Sequence, residues 1–332
     1  MELVDYDLIH PNDPERVIVH KKLKGVEPFS SITEAKAISS FCGASIGDAL
    51  GHFLEGCDLS YERNYLKGFE NVEDTLKGDC DFLRCKKGQY TDDTGLALAM
   101  ADSLLVNNLK INCMDLRYRF YCWFFRAYNN GRAPETDDYE KYSTGIGGVT
   151  YNTLLSFAKN PQEKVDNWGK GNNNGNGAIM RIAPVPIAFH KDLQKCLEYA
   201  GEQAYTTHDG VESSECARLL AFVLYHFINT PAEECRKVLE DLGKNFTTPC
   251  KAVQCLAESV MEDEESLKNY DPTYNKVIED RNWNWKDPNF KYSPTRTALN
   301  KNLIGIYVMD CTAMALHIVY HTKGFEEALL TV

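Results

Sequence analysis

The chain has 332 residues, of which 43% are hydrophobic and 25% are charged, a composition that excludes a disordered protein and allows a large buried core. Its formal net charge is −12 and no run of Lys or Arg is longer than two residues, which argues against a nucleic-acid partner. No apolar run is long enough to span a membrane, and the N-terminus lacks the basic start and apolar centre of a signal peptide. The 12 cysteines lack zinc-type spacing and are predicted to be buried free thiols. These features predict a cytoplasmic protein without a membrane partner, with the nucleus as the alternative compartment.

The first part of the chain is predicted to be irregular. Residues 1–29 carry three prolines and one short strand-like stretch, "VIVH". Ser31 and Glu34 have the spacing of a capping box, and a helical pattern then runs through "AKAISSFCGASIGDALGHFLE". The hydrophobic pattern predicts further helices at 94–107, 113–129, 145–159, 177–188, 193–206, 212–229, 231–243, 249–262 and 297–321.

Strand-like alternation is nearly absent, so the sequence predicts an all-α fold. Neither an internal repeat nor a linker is evident in the sequence. We expect a single domain over residues 30–332, behind the N-terminal extension. The loops between the helices are rich in Gly, Asn and Asp, so the residues suited to chemistry lie at helix starts. Trp283 and Trp285, in the loop "RNWNWKDPNFKYSP", are predicted to pack in the core rather than to line a cleft.

The segment "YTDDTGLALAMADSLL" places two adjacent carboxylates at the start of a predicted helix with one buried face. In one interpretation, these acids only stabilise the helix terminus. In the other, Thr91, Asp92 and Asp93 offer a hydroxyl and two carboxylates, the hard oxygen ligands that Mg²⁺ or Ca²⁺ accepts. The motif by itself is compatible with both.

A second candidate is the segment "GDALGHFLE", in which Asp48, His52 and Glu55 fall on one line of a helix. Such a line is either a solvated helix face or part of a site. The same helix contains three glycines four residues apart, beginning at Gly43, and each costs about 1 kcal/mol relative to alanine. These glycines favour the close approach of another backbone or of a ligand.

Three loops before helices complete the set of candidates. "NNNGNGAIMRIAPVPIAF" and "GIGGVT" are glycine-rich, and their backbone N–H groups suit the phosphates of a nucleotide. "TTHDG" places His208 before a helix, where a histidine is either structural or in contact with a ligand. Ordinary helix starts have the same composition, so none of these loops identifies a function alone.

Taken together and in this order, the segments resemble a known family. GDALG followed by a glutamate, TDDT at the start of a helix, GNGAxMRxxP, and TH before another helix form a pattern similar to that of the ADP-ribosylglycohydrolase family. The resemblance runs from about residue 36 to the end of the chain. It implies an orthogonal all-α bundle around a cleft with two Mg²⁺ ions. It also implies a hydrolase that removes ADP-ribose from modified protein side chains or from small ADP-ribosyl compounds.

The same resemblance implies roles for individual residues. Thr91, Asp92 and Asp93 would be metal ligands, and Glu55 would act with the two aspartates in catalysis. Carboxylates suit this reaction because cleavage of the glycosidic bond builds positive charge on the ribose. The family also implies a monomer whose partner is an ADP-ribosylated protein or a small molecule containing ADP-ribose. The residues implied to bind substrate are Gly145, Gly147, Gly148, Asn174, Gly175, Asn176, Gly177 and His208.

The chain departs from the family pattern in two places. Bacterial members have an Asp-Ile-Gly segment that recognises arginine, whereas this chain has Gly145-Ile146-Gly147, a form closer to the ADP-ribosylserine type. Members also continue into a Gly-Gly-Asp-x-Asp-Thr segment that carries further metal ligands, and this sequence reaches Val332 before such a segment. Three hypotheses therefore stay open: a hydrolase, a non-catalytic relative that binds ADP-ribose or a protein partner, and a purely structural protein of this fold.

Overall fold

The structure is a computed structural model that describes residues 31–52, 54–55, 88–131, 143–161, 171, 173–263, 281–291 and 306–331. The predicted N-terminal extension, with its "VIVH" stretch, lies outside the described residues. Helices and isolated β-bridges are the regular structure found in the described ranges, which confirms the predicted all-α fold. None of the described helices combines the length and the apolar composition that crossing a bilayer requires.

The helices lie close to their predicted positions along most of the described chain. They are α1 (Ile32–Gly51), α2 (Asp92–Val106), α3 (Cys113–Arg126), α4 (Gly148–Lys159), α5 (Pro184–Ala188), α6 (Leu193–Ala204), α7 (Val211–Asn229), α8 (Cys235–Glu240), α9 (Leu242–Asn245), α10 (Lys251–Glu258), α11 (Val308–His321) and α12 (Phe325–Thr331). Ser31 caps α1 as predicted, because its hydroxyl accepts the Glu34 N–H at 3.1 Å.

Three predicted helices are shorter than the hydrophobic pattern indicates or are divided. The helix predicted over 231–243 is divided into a 3₁₀ turn at Ala232–Glu234, α8 and α9. The prediction of one helix over 177–188 is wrong: a 3₁₀ turn at Asn176–Ala178 is followed by the short α5. Pro184 lacks the N–H that would continue the ladder, so it begins a new helix instead. The helix predicted over 249–262 ends at Glu258, since Ser259 adopts the left-handed conformation with φ at 63°.

The core is built around α7, which packs against α1, α5, α6, α8, α10 and α11. The prediction that Trp283 and Trp285 lie in the core is confirmed, because both are fully buried. The Trp283 indole N–H donates to Glu262 and that of Trp285 donates to the Leu256 carbonyl, each at 2.7 Å. Partners for both indole groups explain how these two rings can be buried without a polar penalty.

Two of the three regularly spaced glycines of α1, Gly43 and Gly47, receive side chains of α12, whereas Gly51 meets no atom of the described residues within 4 Å. A Cβ at Gly43 would lie 3.4 Å from Phe325 Cε2, and one at Gly47 would lie 3.9 Å from Leu329 Cδ2. The close approach predicted from the sequence is therefore made here by the side chains of a neighbouring helix, and not by another backbone.

The cysteines in the described ranges are all free, as predicted. Cys196 and Cys216 are buried, whereas Cys42 is exposed, so burial does not hold for every thiol.

Candidate active site

The start of α2 is capped by a residue from another helix. Thr91 precedes α2, and its own side chain makes no capping hydrogen bond to the helix. Instead, the Asp48 carboxylate accepts the Thr91 N–H at 2.9 Å, the Thr94 N–H at 3.0 Å and the Thr91 hydroxyl at 2.7 Å. Asp48 is only 8% exposed, so the polar line of α1 is not a solvated face at this residue. Because Asp48 satisfies the helix start, Asp92 and Asp93 are not required as capping residues.

Four carboxyl groups are crowded at this helix start. Burial raises the pKa of Asp92 well above its usual value, and the charges of Asp93, Glu55 and Asp48 raise it further. Burial, followed by the charges of Asp48 and Glu55, raises the pKa of Asp93 to about 7. Glu55 is exposed as a residue, yet partial desolvation of its carboxyl group and the Asp48 charge raise its pKa too. The cluster concentrates negative charge that a bound cation would neutralise.

The donor atoms of this cluster fit a hard divalent cation. The Thr91 hydroxyl donates its proton to Asp48, so lone pairs on its oxygen remain available, and Asp92 and Asp93 add two carboxylates. Mg²⁺ is commonly held by one or two carboxylates, with water or substrate oxygens in its other positions. Among the residues that the structure describes, no group of three or more His, Cys, Asp or Glu is arranged to hold a metal ion. The described residues therefore offer a partial ligand set of two carboxylates and one hydroxyl.

The Gly145 loop lies directly against the acidic cluster. Gly145 has a φ of +93°, and a Cβ there would lie 2.6 Å from Asp92 Oδ1 and 2.8 Å from Thr91 Cβ. Only glycine allows both this backbone conformation and this close approach. The loop is anchored by Ser143, whose hydroxyl donates to the Trp123 carbonyl at 2.5 Å. The structure thus brings one of the predicted substrate-binding glycines to Asp92 and Thr91.

Gly147 and Gly148 form the exposed start of α4. Gly147 precedes the helix without a side-chain cap, and a Cβ at either glycine would meet no atom of the described residues within 4 Å. Because both glycines are exposed, a ligand can approach this helix start.

We expect Gly145→Ala to destabilise the protein by about 1–3 kcal/mol and to weaken Mg²⁺ binding. The added methyl group must displace the Asp92 carboxylate, and alanine is strained at a φ of +93°. Gly147→Ala is the matched control, because its φ of −69° and the open space around it accept a methyl group. Urea unfolding and calorimetric Mg²⁺ titration of both variants check this expectation. Equal behaviour of the two variants would contradict it.

Gly175 and Gly177 pack against His208. A Cβ at Gly175 would lie 3.1 Å from His208 Nε2, and one at Gly177 would lie 2.7 Å from His208 Cε1. Thr150, in the first turn of α4, approaches the same point, with its hydroxyl oxygen 3.4 Å from a Cβ at Gly177. The absence of side chains at these two positions allows the loop, α4 and the histidine ring to meet.

Asn174 has a structural task in this loop. Its carboxamide oxygen accepts the Ser213 N–H at 3.2 Å, in the first turn of α7, and its backbone carbonyl accepts the Val308 N–H at 3.0 Å. The side-chain oxygen of Asn174 is therefore used inside the protein, and its predicted contact with substrate stays a prediction.

Asn176 links the loop to the acidic cluster. Its side chain hydrogen-bonds the thiol of Cys311, in the first turn of α11. Burial and then the Asp310 charge raise the pKa of Cys311 to about 12, and the Asp93 charge contributes in the same direction. The thiol is thus protonated at neutral pH and lies near both Asn176 and Asp93.

A buried arginine interacts electrostatically with both Asp92 and His208. The Arg181 side chain is fully buried; its Nε donates to Gln203 Oε1 at 2.9 Å and its Nη2 donates to the Thr207 hydroxyl at 2.9 Å. Burial lowers the pKa of Arg181 to about 9, and the Asp92 charge opposes this effect. The guanidinium therefore remains charged at neutral pH and supplies positive charge to the acidic cluster.

His208 is held in its neutral form. Its Nδ1 lies 2.8 Å from the Thr207 hydroxyl oxygen, and the ring is almost fully buried. Burial and then the nearby Arg181 charge lower the pKa of His208 to about 3. An imidazole in this setting can donate or accept a hydrogen bond, but it does not carry a positive charge at physiological pH.

The structure places predicted site residues in two groups: Gly145 lies against Thr91 and Asp92, and Gly175 and Gly177 lie against His208. The Arg181 charge acts on His208 and the Asp92 charge acts on Arg181. The sequence placed Asp48 on a candidate polar line without predicting that it caps α2, and it assigned no role to Arg181 or to Thr207, which lies 2.8 Å from His208 Nδ1. The available signals were their positions inside the recognised motifs, at GDALG, at GNGAxMR and directly before His208.

The chain is similar to proteins that act on ADP-ribosyl groups. The ADP-ribosylarginine hydrolase Tri1 of Serratia proteamaculans (strain 568) is 30% identical over 201 residues, which cover 60% of this chain and 49% of that protein. The ADP-ribosylhydrolase ARH3 of Homo sapiens is 28% identical over 180 residues, which cover 52% of this chain and 46% of that protein. The chain spans about half the length of these curated relatives.

A solved structure described as an ADP-ribosylglycohydrolase-related protein complex matches with a TM-score of 0.53 at 22% identity, over 89% of this chain and 79% of that chain. This likeness supports the all-α fold. The family model described as ADP-ribosylglycohydrolase matches residues 30–332, nearly the whole chain. The protein therefore belongs to the ADP-ribosylglycohydrolase family.

Proposed function

We propose that this protein is a Mg²⁺-dependent hydrolase that releases ADP-ribose from modified protein side chains or from related ADP-ribosyl compounds. The observation that carries the proposal is the crowding of Asp92 and Asp93 beside the Gly145 loop, at a helix start that Asp48 already caps. The names of the relatives, which include an ADP-ribosylarginine hydrolase and an ADP-ribosylhydrolase, support this substrate class.

Thr91, Asp92 and Asp93 would hold Mg²⁺ in this proposal. When bound there, the ion would supply positive charge that orients the ribose hydroxyls and polarises a water molecule. Its binding would also relieve the repulsion that raises the pKa values of the two aspartates.

The protein's own groups have distinct tasks. Departure of the leaving group builds positive charge on the ribose, and the carboxylates of the cluster stabilise this charge. Burial and the Asp48 charge raise the pKa of Glu55, which favours a group that gives a proton to the leaving group or takes one from water. The exposed start of α4, at Gly147 and Gly148, suits the diphosphate of ADP-ribose, because helix N-termini favour anions.

We expect Glu55→Gln to lower turnover by about 10²-fold or more while ADP-ribose affinity stays within a few-fold of wild type. The glutamine keeps the shape of the side chain but cannot transfer a proton. The measurement is release of ADP-ribose from serine- and arginine-modified peptides, with Mg²⁺ and with a chelator, alongside calorimetric binding of ADP-ribose. Glu233→Gln, at an exposed glutamate in a surface turn, is the matched control and should retain full turnover.

The outcomes separate the functional hypotheses. Mg²⁺-dependent turnover that Glu55→Gln removes supports the hydrolase, and the preferred peptide identifies the linkage. Binding of ADP-ribose without turnover by the wild type would support a non-catalytic ADP-ribose-binding protein. Neither binding nor turnover would leave a protein of this fold without the proposed activity.

We also propose that residues 30–332 act as one domain, as a monomer and in the cytoplasm. Sedimentation of the purified protein and imaging of a tagged copy in cells check the oligomeric state and the compartment. A stable dimer or an exclusively nuclear signal would contradict these proposals.

A further inference from the structure

A continuous hydrogen-bond chain runs from the buried arginine to the histidine of the site. Arg181 Nη2 donates both to the Gln203 backbone carbonyl at 3.1 Å and to the Thr207 hydroxyl at 2.9 Å. The Thr207 hydroxyl lies 2.8 Å from His208 Nδ1. All of these side chains are buried, so solvent does not compete with the chain of bonds.

The backbone that carries Thr207 and His208 is held from two other helices. Arg117 Nε, in α3, donates to the Thr206 carbonyl at 2.9 Å. Thr153 Oγ1, in α4, lies 3.1 Å from the Thr207 carbonyl. The position of the Thr207 hydroxyl relative to the histidine ring is thus determined by groups on three separate segments, including Arg181.

The direction of the bonds follows from the donors. A guanidinium can only donate, so Arg181 occupies a lone pair of the Thr207 oxygen and the Thr207 proton is free to point at His208 Nδ1. A neutral imidazole that accepts at Nδ1 carries its proton on Nε2. That nitrogen faces the glycine loop, where it would lie 3.1 Å from a Cβ at Gly175 and 3.2 Å from one at Gly177.

We propose that Arg181 and Thr207 are positioning residues that hold His208 as the Nε2-protonated tautomer, so that Nε2–H is a fixed donor to a ligand oxygen at the Gly175–Gly177 loop. The ligand oxygen is a phosphate or ribose oxygen of ADP-ribose, and in this respect the inference rests on the proposed function. A neutral donor of this kind distinguishes ligands with an oxygen acceptor at this point from ligands that present a donor there.

The tautomer can be measured directly on the full chain by long-range ¹H–¹⁵N correlation spectra of histidine-labelled protein. The His208 signal is assigned by its loss in His208→Ala. We expect the Nε2-protonated pattern in the wild type, its loss or mixing in Thr207→Val, and its return in Thr207→Ser, which restores the hydroxyl. Thr322→Val is the matched control, because it removes a hydroxyl that donates to the Ile318 carbonyl at the end of α11.

Calorimetric titration with ADP-ribose is the second readout. We expect Thr207→Val to weaken binding about tenfold, which corresponds to one hydrogen bond of about 1.4 kcal/mol, and Thr207→Ser to restore it. In a His208→Ala background, Thr207→Val should cause no further loss, because Thr207 acts through the histidine.

An Nδ1-protonated or mixed tautomer in the wild type would overturn the inference even if ADP-ribose binds tightly. Unchanged affinity in Thr207→Val, with a changed tautomer, would overturn the link between the hydrogen-bond chain and binding. Failure of the wild type to bind ADP-ribose would instead contradict the proposed function, and it is recognised separately because the tautomer readout needs no ligand.

Discussion

Asp93→Asn is expected to abolish turnover and, at the same time, to stabilise the metal-free protein at neutral and alkaline pH. In the folded protein the pKa of Asp93 is raised to about 7, by burial first and then by the charges of Asp48 and Glu55. Ionisation of Asp93 therefore costs more free energy in the folded state than in the unfolded chain. Asparagine keeps the size of the side chain and removes this cost, but it also removes a proposed ligand to Mg²⁺.

The sign of the pH dependence follows from proton binding. Between the unfolded pKa near 3.8 and the folded pKa of about 7, the folded state binds more protons than the unfolded state. The Asp93 contribution to the free energy of unfolding is therefore favourable at low pH, falls as the pH rises through this window, and is level above it. Each pKa unit corresponds to about 1.4 kcal/mol, and since Asp93 is only half-buried we expect a net effect of roughly 1–3 kcal/mol.

The measurement is urea unfolding with a chelator present, from pH 4 to pH 9, for the wild type, Asp93→Asn and the control Glu233→Gln. The curves of wild type and Asp93→Asn should separate as the pH rises, and the control should follow the wild type. Added Mg²⁺ should stabilise the wild type at pH 8 by mass action and leave Asp93→Asn unchanged. Parallel pH curves for all three proteins would show that burial and neighbouring charges do not raise the pKa of Asp93. Equal stabilisation of the wild type and Asp93→Asn by Mg²⁺ would show that Asp93 is not a metal ligand.

Arg281→Met is expected to cause the largest loss of stability among single substitutions outside the acidic cluster, about 3–5 kcal/mol. Arg281 donates to Glu262 Oε1 at 2.6 Å, to Glu212 Oε1 at 3.0 Å and to the Tyr307 hydroxyl at 2.8 Å, and both glutamates are buried. Methionine approximates the volume of the stem but leaves two buried carboxylates without the guanidinium. Removal of one partner from a buried ionic group is costly for this reason.

The Arg281→Met substitution should also affect the glycine loop of the candidate site. Tyr307, whose hydroxyl donates to Glu212 Oε2 at 2.6 Å, forms an isolated bridge with Gly175 in the glycine loop. Loss of Arg281 therefore loosens a support of this loop, and we expect weaker ADP-ribose binding in the variant.

Chemical unfolding of Arg281→Met is compared with two further variants. Lys237→Ala, which breaks an exposed i,i+4 ion pair with Asp241, should leave the unfolding midpoint unchanged. A triple variant that combines Arg281→Met with Glu212→Gln and Glu262→Gln should recover part of the lost stability, since the buried charges are then absent. Equal midpoints for Arg281→Met and Lys237→Ala would contradict the assigned cost.

Local sequence patterns were sufficient for most of the helices. The capping box at Ser31 and the apolar stripes of α2, α3 and α7 involve residues only a few positions apart. They can therefore be recognised from the sequence without knowledge of the fold. The single helix predicted over 177–188 was wrong although the apolar pattern there is continuous, because Pro184 lacks the N–H that a continuous helix needs.

The motifs also located the candidate site along the chain, but the contacts between residues of different motifs could not be predicted from them. The sequence left open whether Asp92 and Asp93 cap a helix, and the answer depended on Asp48, which lies 43 residues before Thr91. A local pattern cannot show which distant side chain satisfies a helix start, because that choice is made by the packing of α1 against α2.

By itself, the sequence determined the all-α class, the order of the helices and the segments that carry the chemistry, since these follow from periodicity and short motifs. Only the tertiary structure decided that Gly145 contacts Asp92, that Asn176 reaches Cys311, and that Arg181 reaches His208 through Thr207. Each of these contacts joins residues from different segments, and their strength depends on burial, which exists only once the helices have packed around α7.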